Sequence, residues 1–216
     1  MDTSTISNGL SSWFAIWLRP RDTIRRIVDT NPEYQVTRLT LLAGFVNILG
    51  RASNGNLGDN IPILLLLFMI LIGGPFAGLI SLYISGAILS WTGSWFGGQA
   101  TSEEVRAALA WSSVPRIISS ILWIPLFAIY GTETFTSETP KTGAMLAANP
   151  LLAWFVSILG ISLWGLGVII GIWSLIIFLK CAGEVHRFSA WRALASIAVP
   201  ILALIVPIVG CILLTP

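Results

Sequence analysis

Gly97-Gly98-Gln99-Ala100-Thr101-Ser102-Glu103-Glu104-Val105-Arg106, running on into Ala107-Ala108-Leu109-Ala110-Trp111-Ser112-Ser113-Val114-Pro115, is the stretch on which the fold turns. It is polar at its start, helical in pattern, and flanked on each side by a long apolar stretch. Thr101 followed three residues later by Glu104 forms a capping-box signature, in which the hydroxyl accepts from an orphan N–H and the carboxylate reaches back to the cap. A helix therefore restarts after the Gly97-Gly98 turn. The pattern returns as Ala182-Gly183, a short polar turn, and Arg192-Ala193-Leu194-Ala195-Ser196-Ile197-Ala198-Val199-Pro200. Gly98 to Gly183 and Pro115 to Pro200 are both separated by 85 residues. In that register Gly86 falls on Gly171 and Ile84 on Ile169. Such self-similarity predicts an internal duplication with repeat units of about 62–130 and 147–215; coincidence in an Ala- and Leu-rich chain is the alternative.

Working outward, 55% of the 216 residues are hydrophobic and 10% charged, against about 25% charged in soluble domains. The chain is an integral membrane protein. Trp91, Trp95, Trp154 and Trp191 stand near the ends of apolar stretches, where an indole has one apolar face and one wet edge. A net charge of +2 and no basic-aromatic alternation argue against a nucleic-acid partner. Residues 1–37 read as a cytoplasmic, interfacial amphipathic arm, and 38–216 as the membrane domain. No cleavable signal peptide is expected, since Asp2 precedes every basic residue and the run 13–18 is too short for an h-region.

In the arm, Trp13, Ile16 and Trp17 share one helical face. A second short helix starting at Pro20 carries Ile24, Ile27 and Val28 on one face and Arg21, Arg25 and Arg26 elsewhere. A Trp-rich apolar stripe beside Arg19, Arg21, Arg25 and Arg26 has the composition of a helix lying among anionic headgroups, each Arg contributing roughly 1 kcal/mol. The same arginines also satisfy the positive-inside rule without binding anything in particular.

Five apolar stretches follow. Leu39 to Leu49 is short and crosses only if the helix extends towards Val36 and Asn54. Pro62 to Phe96 is too long for one span, so Gly73-Gly74-Pro75 is read as a break between a half-helix and a full helix. Ala77, Ser81 and Ser85 recur every four residues and Gly74-x-x-x-Gly78 is a GxxxG, both packing signals. Val114 to Tyr130 is expected to kink at Pro125. The loop 131–148 shows no periodicity. Pro150 to Leu179 carries Gly160, Gly165 and a second GxxxG, Gly167 and Gly171; Ala193 to Leu214 is last. With five crossings and the N-terminus inside, ten basic residues (Arg19, Arg21, Arg25, Arg26, Arg38, Arg106, Arg116, Lys180, Arg187, Arg192) face the cytoplasm and two (Arg51, Lys141) lie outside. That topology puts Cys181 and Cys211 at opposite faces, so a disulfide is not expected.

Trp17-Leu18-Arg19-Pro20-Arg21-Asp22-Thr23-Ile24-Arg25-Arg26-Ile27 before the first span, then Gly97-Gly98, Glu103-Glu104 and Ser113-Val114-Pro115, together with five-span hydropathy, resemble the Yip (Ypt-interacting protein) domain family, in its bacterial form. The resemblance covers roughly residues 13–214. It implies an all-α protein of the bacterial inner membrane with Gly97, Gly98, Glu103, Glu104 and Pro115 in a cytoplasmic turn. Eukaryotic members bind Rab-type GTPases in vesicle traffic; their long Pro/Gln-rich arm is not present in these residues, so a GTPase partner is not carried over.

No catalytic, cofactor-binding or metal residues are expected. No titratable group lies well inside the four later spans, which argues against proton-coupled transport. Glu103-Glu104-Val105-Arg106 differs from the Glu-Glu motif of intramembrane CAAX-type proteases in the spacing of its Arg and lacks their histidines. His186 reads as a solvated loop histidine. The leading expectation is a non-enzymatic protein that binds membrane lipid, another membrane protein or a second copy of itself. A channel or permease for a small solute or ion is the alternative, supported by the interruptions at Gly73-Gly74-Pro75 and Gly160 to Gly167 in equivalent places of the two repeats.

Overall fold

The structure is a computed structural model that describes the backbone of residues 12–214 and the side chains in that range other than those of 201, 203, 204 and 206–214. Cys211 falls outside the described side chains. Every regular element among the described residues is helical: α1 (12–18), α2 (Pro20–Thr30), α3 (Val36–Asn54), α4 (Ile63–Phe68), α5 (Gly74–Trp95), α6 (Ser102–Ser112), α7 (Val114–Ser119), α8 (Trp123–Tyr130), α9 (Pro140–Ala148), α10 (Pro150–Val185) and α11 (Ala190–Leu214). Among the described residues, three helical stretches are long and apolar enough to cross a membrane: Ile63–Trp95, Ser102–Phe135 and Pro150–Val185. The 19 residues of α3 reach about 28 Å, but Arg38, Asn47 and Arg51 lower its apolar content.

The chain folds into two compact units, one of Met1–Val36, Ser81–Ser112 and Leu175–Pro216, the other of Thr37–Ile80 and Ser113–Ser174. In the first, α2 starts with Pro20, whose fixed φ and missing N–H suit a first turn. Thr23, Ile24 and Ile27 form its buried face, and α2 packs on α6. The capping box of α6 is formed in both directions: the Thr101 N–H donates to Glu104 Oε2 at 2.7 Å and the Glu104 N–H to Thr101 Oγ1 at 3.3 Å.

In the second unit, Leu49, Ala52, Leu66, Ile70 and Phe135 form a buried cluster, with Phe45, Ile48, Trp123 and Phe127 packed around it. Beside it α3 and α5 meet at backbone distance. A Cβ on Gly78 would stand 2.8 Å from the Gly44 Cα and 2.9 Å from the Thr40 carbonyl oxygen, and one on Gly74 would stand 3.0 Å from the Gly44 carbonyl oxygen. Glycines at all three positions are what allow this approach. Of the other stripe, Ala77 and Ser81 are exposed and Ser85 half-buried, because the face of α5 turned inward is the one bearing Gly74, Gly78, Leu82 and Gly86.

Three expectations are corrected. The expected break at Gly73-Gly74-Pro75 does not occur: α4 runs into α5 through a single π-helical turn, Met69–Gly73. Pro75 has no N–H for the ladder, and a π turn absorbs the mismatch without ending the helix. Nor is α10 interrupted; its 36 residues are one helix through Gly160, Gly165, Gly167 and Gly171. Each glycine costs about 1 kcal/mol relative to alanine, too little to stop a long apolar helix. The stretch 131–148, read as structureless, holds a 3₁₀ turn Gly131–Phe135 and α9. The signal was non-local: Glu133 caps α9 from outside it, accepting from the N–H groups of Lys141 at 2.9 Å and Thr142 at 3.0 Å and from the Thr142 hydroxyl at 2.7 Å. The irregularity foreseen at Pro125 falls just before it, in the 3₁₀ turn Ser120–Leu122 that precedes α8, where the carbonyl of Ile121 would lack its i+4 donor.

Gly78→Val should lower the thermal midpoint of the detergent-solubilised protein, at a cost of about 1–3 kcal/mol or more for overpacking, whereas Ala77→Leu on the exposed neighbouring face should leave it nearly unchanged. Equal loss in both would mean that the Gly44 contact does not discriminate between the two faces.

Candidate functional site

The first unit gathers the polar machinery. α5 ends in a Schellman closure: Gly97 has φ +81°, its N–H donates to the Ser94 carbonyl at 3.0 Å, and the Gly98 N–H donates to the Gly93 carbonyl at 3.0 Å. α10 ends in the same way, with Arg187 at φ +58°, its N–H on the Glu184 carbonyl at 3.1 Å and the Phe188 N–H on the Gly183 carbonyl at 2.9 Å. The two closures lie 90 residues apart, Gly97 to Arg187 and Gly93 to Gly183, whereas the sequence register is 85.

Between these closures lies His186. It is 2% exposed, so the reading of a solvated loop histidine is wrong. Its ring fills the space left by two absent side chains, since a Cβ on either Gly93 or Gly98 would collide with the imidazole. Phe188 stacks on it, centroids 4.9 Å apart and planes 2° apart. The Gln99 N–H donates to the His186 carbonyl at 3.4 Å. Nδ1 has no hydrogen-bond partner, and the ring bonds to the backbone of Leu89. Burial pushes the imidazole pKa below its usual value, with the Glu104 carboxylate and the Leu89 bond opposing. Sequence missed this site because a histidine in a polar turn carries no local sign of burial; Gly93 and Gly98 are the trace of it, and their partner lies about 90 residues away.

Two arginines of the first unit are held by groups distant in the chain. Arg25 donates through Nε to Glu184 Oε1 at 3.1 Å and through Nη2 to the Glu184 carbonyl at 2.6 Å. Arg106 pairs with Glu33 at 2.6 Å, lies 4.8 Å from the Tyr83 ring centroid, and fits because Gly86 has no side chain: a Cβ there would stand 2.7 Å from Arg106 Cγ. Trp111 is fully buried, with its indole N–H on the Tyr34 carbonyl at 3.2 Å. Glu33, Tyr83 and Trp111 carry no sequence signal for these contacts.

Of the arm residues, Ile16 is buried and Trp13 and Trp17 are half-buried, and Trp13 donates to Gln35 at 3.0 Å. The large apolar side chains that α1 exposes are instead Phe14 at 70% and Leu18 at 84%. Arg19, Arg21 and Arg26 are exposed, along with Asp22 and Asp29. Glu103 is exposed and Pro115 buried. Around Gly167 and Gly171 a Cβ would meet nothing within 4 Å.

A surface cavity of about 300 Å³ in the second unit, lined by Phe127, Tyr130, Glu133, Lys141, Thr142 and Met145, holds a carboxylate already engaged as the α9 cap. Among the described residues no group of three or more His, Cys, Asp or Glu could hold a metal ion. The arrangement positions helix ends and a basic, aromatic surface.

Gly93→Ala should destabilise the fold by about 1–3 kcal/mol, the range for forcing a methyl into a packed site. Adding His186→Ala should recover part of that loss, since the new methyl then has the vacated space. A double variant no better than the sum of its singles would remove the cage from the account.

A family model described as the Yip1 domain matches residues 14–212. Neither a curated protein nor a solved structure matches the chain.

Proposed function

Because this chain belongs to the Yip1 domain family, a family of non-enzymatic membrane proteins, we propose that it is a non-catalytic multipass protein of the bacterial cytoplasmic membrane that works by binding lipid or a partner membrane protein at the cytoplasmic face. The observation that carries the lipid reading is the exposed pair Phe14 and Leu18, one turn apart on α1, followed at once by exposed Arg19 and Arg21. An apolar pair that enters the headgroup boundary beside cations that pair with anionic lipid is the chemistry of an interfacial anchor. Trp13 and Trp17 then support the anchor from its half-buried side, Arg26 adds to its charge, and Arg25 secures α2 to the end of α10. The turn of Gly97, Gly98, Glu103 and Glu104 belongs to the same face, and the repetition at 85 residues is read as duplication of one membrane element.

The orientation is N-terminus inside and C-terminus outside. On five crossings ten basic residues, Arg38 and Arg116 among them, fall on the cytoplasmic side and two, Arg51 and Lys141, outside, the asymmetry the positive-inside rule expects. A solute path has lost its support, since the broken helices on which it rested are continuous.

With an environment-sensitive fluorophore on Phe14→Cys or Leu18→Cys of the full-length protein in nanodiscs, emission should shift to the blue in anionic relative to zwitterionic lipid, and lose most of that shift at high salt. A fluorophore on Asp22→Cys should stay water-like. Emission that ignores lipid charge at Phe14 and Leu18 would refute the anchor. In intact cells an impermeant maleimide should label exposed Lys141→Cys and spare exposed Glu103→Cys; the reverse pattern inverts the orientation.

A further inference from the structure

We infer that His186 is a pH-operated latch that holds the Gly97-Gly98 turn at the end of α5 against the turn that closes α10. The latch is a buried ring in a fitted cage: Gly93 and Gly98 leave room for it, Phe188 lies flat on it, and the Gln99 N–H reaches its carbonyl. In that cage the neutral ring donates one N–H to the backbone of Leu89, while Nδ1 faces no partner. A neutral acceptor nitrogen tolerates this better than a cation does. Protonation places a second N–H at Nδ1, buried, charged and without an acceptor, and the ring is then better solvated outside the cage than in it.

The titratable and charged groups on the surrounding elements do not supply that acceptor. α5 carries Tyr83 alone; the Gly97-Gly98 turn carries none. On α6, Glu103 is exposed, Arg106 pairs with Glu33, and Glu104 attracts the ring's positive charge at a distance but is engaged with the Thr101 N–H. At the end of α10, Glu184 is bound to Arg25, Lys180 is exposed and Cys181 is buried. On α2, Asp22, Arg26 and Asp29 are exposed. Arg187, next in the chain, is exposed and repels a cation at 186.

The sign follows from linkage. The closed state lowers the ring's pKa below the ordinary 6.5, so the open state binds the proton more readily. The latch is at full strength above about 6.5 and weakens as pH falls through that value towards the folded pKa.

His186 is the chain's single histidine, so full-length protein labelled with ¹³C at histidine, in nanodiscs and without a histidine tag, gives one imidazole signal. Its titration midpoint should fall below 6.5. Between pH about 7.5 and about 5.5, hydrogen exchange corrected for its intrinsic pH dependence should quicken, by at most about tenfold, in peptides spanning 93–101 and 183–189, and stay constant in those spanning 44–78. His186→Gln should abolish the pH-dependent part. A midpoint at or above the ordinary value, or the same pH-dependent increase in His186→Gln, overturns the latch. If His186→Gln does not fold, the wild-type midpoint and exchange pattern decide the matter by themselves.

Discussion

The close approach of one backbone to another, possible only where a side chain is missing, is the constraint on which the described contacts of α5 depend. In lipid there is little hydrophobic gain from bringing two apolar helices together, so association rests on dispersion contacts that fall off steeply with distance. α5 meets this demand with glycine on its inward face. Gly74 and Gly78 admit Gly44 of α3, Gly86 admits the stem of Arg106, and Gly93 admits the ring of His186. Each lies four, seven or eight residues from the next, so they share a face.

That use of glycine also explains how polar groups are accommodated in so apolar a chain. Arg106 and His186 are brought into places where their stems or rings replace the missing Cβ, and their polar ends are then met selectively. Arg106 has Glu33 and the face of Tyr83, and Arg25 has both the carboxylate and the carbonyl of Glu184. A partly buried cation without such partners would oppose folding. Because these arginines are engaged with distant protein groups, the positive charge offered outward by residues 19–30 belongs to Arg19, Arg21 and Arg26, beside the exposed carboxylates of Asp22 and Asp29.

Much of this was legible in residues that are neighbours in the chain. The membrane class follows from composition, the restart of α6 from Thr101 and Glu104, and the end of α5 from Gly97, because capping and left-handed closure are settled within one turn of helix. The extension of the first apolar stretch to Val36 and Asn54 is likewise a matter of local helix propagation. Local reading failed where the partner was distant, as with Glu133 capping α9, and it also took for a break what a local π turn carries through at Gly73-Gly74-Pro75.

Spacing alone determined that α5 and α10 each carry a Gly-xxx-Gly pair, and it could determine no more, since periodicity describes one helix and a contact needs two. Tertiary structure decided that Gly74 and Gly78 face Gly44, whereas Gly167 and Gly171 meet no atom within contact distance among the described residues. It also decided that α1 presents Phe14 and Leu18 in place of Trp13 and Trp17. Composition makes the two faces of α1 equally apolar; which of them is covered depends on Gln35 and on the helices folded beside it, and those lie outside any window that a helical repeat can read.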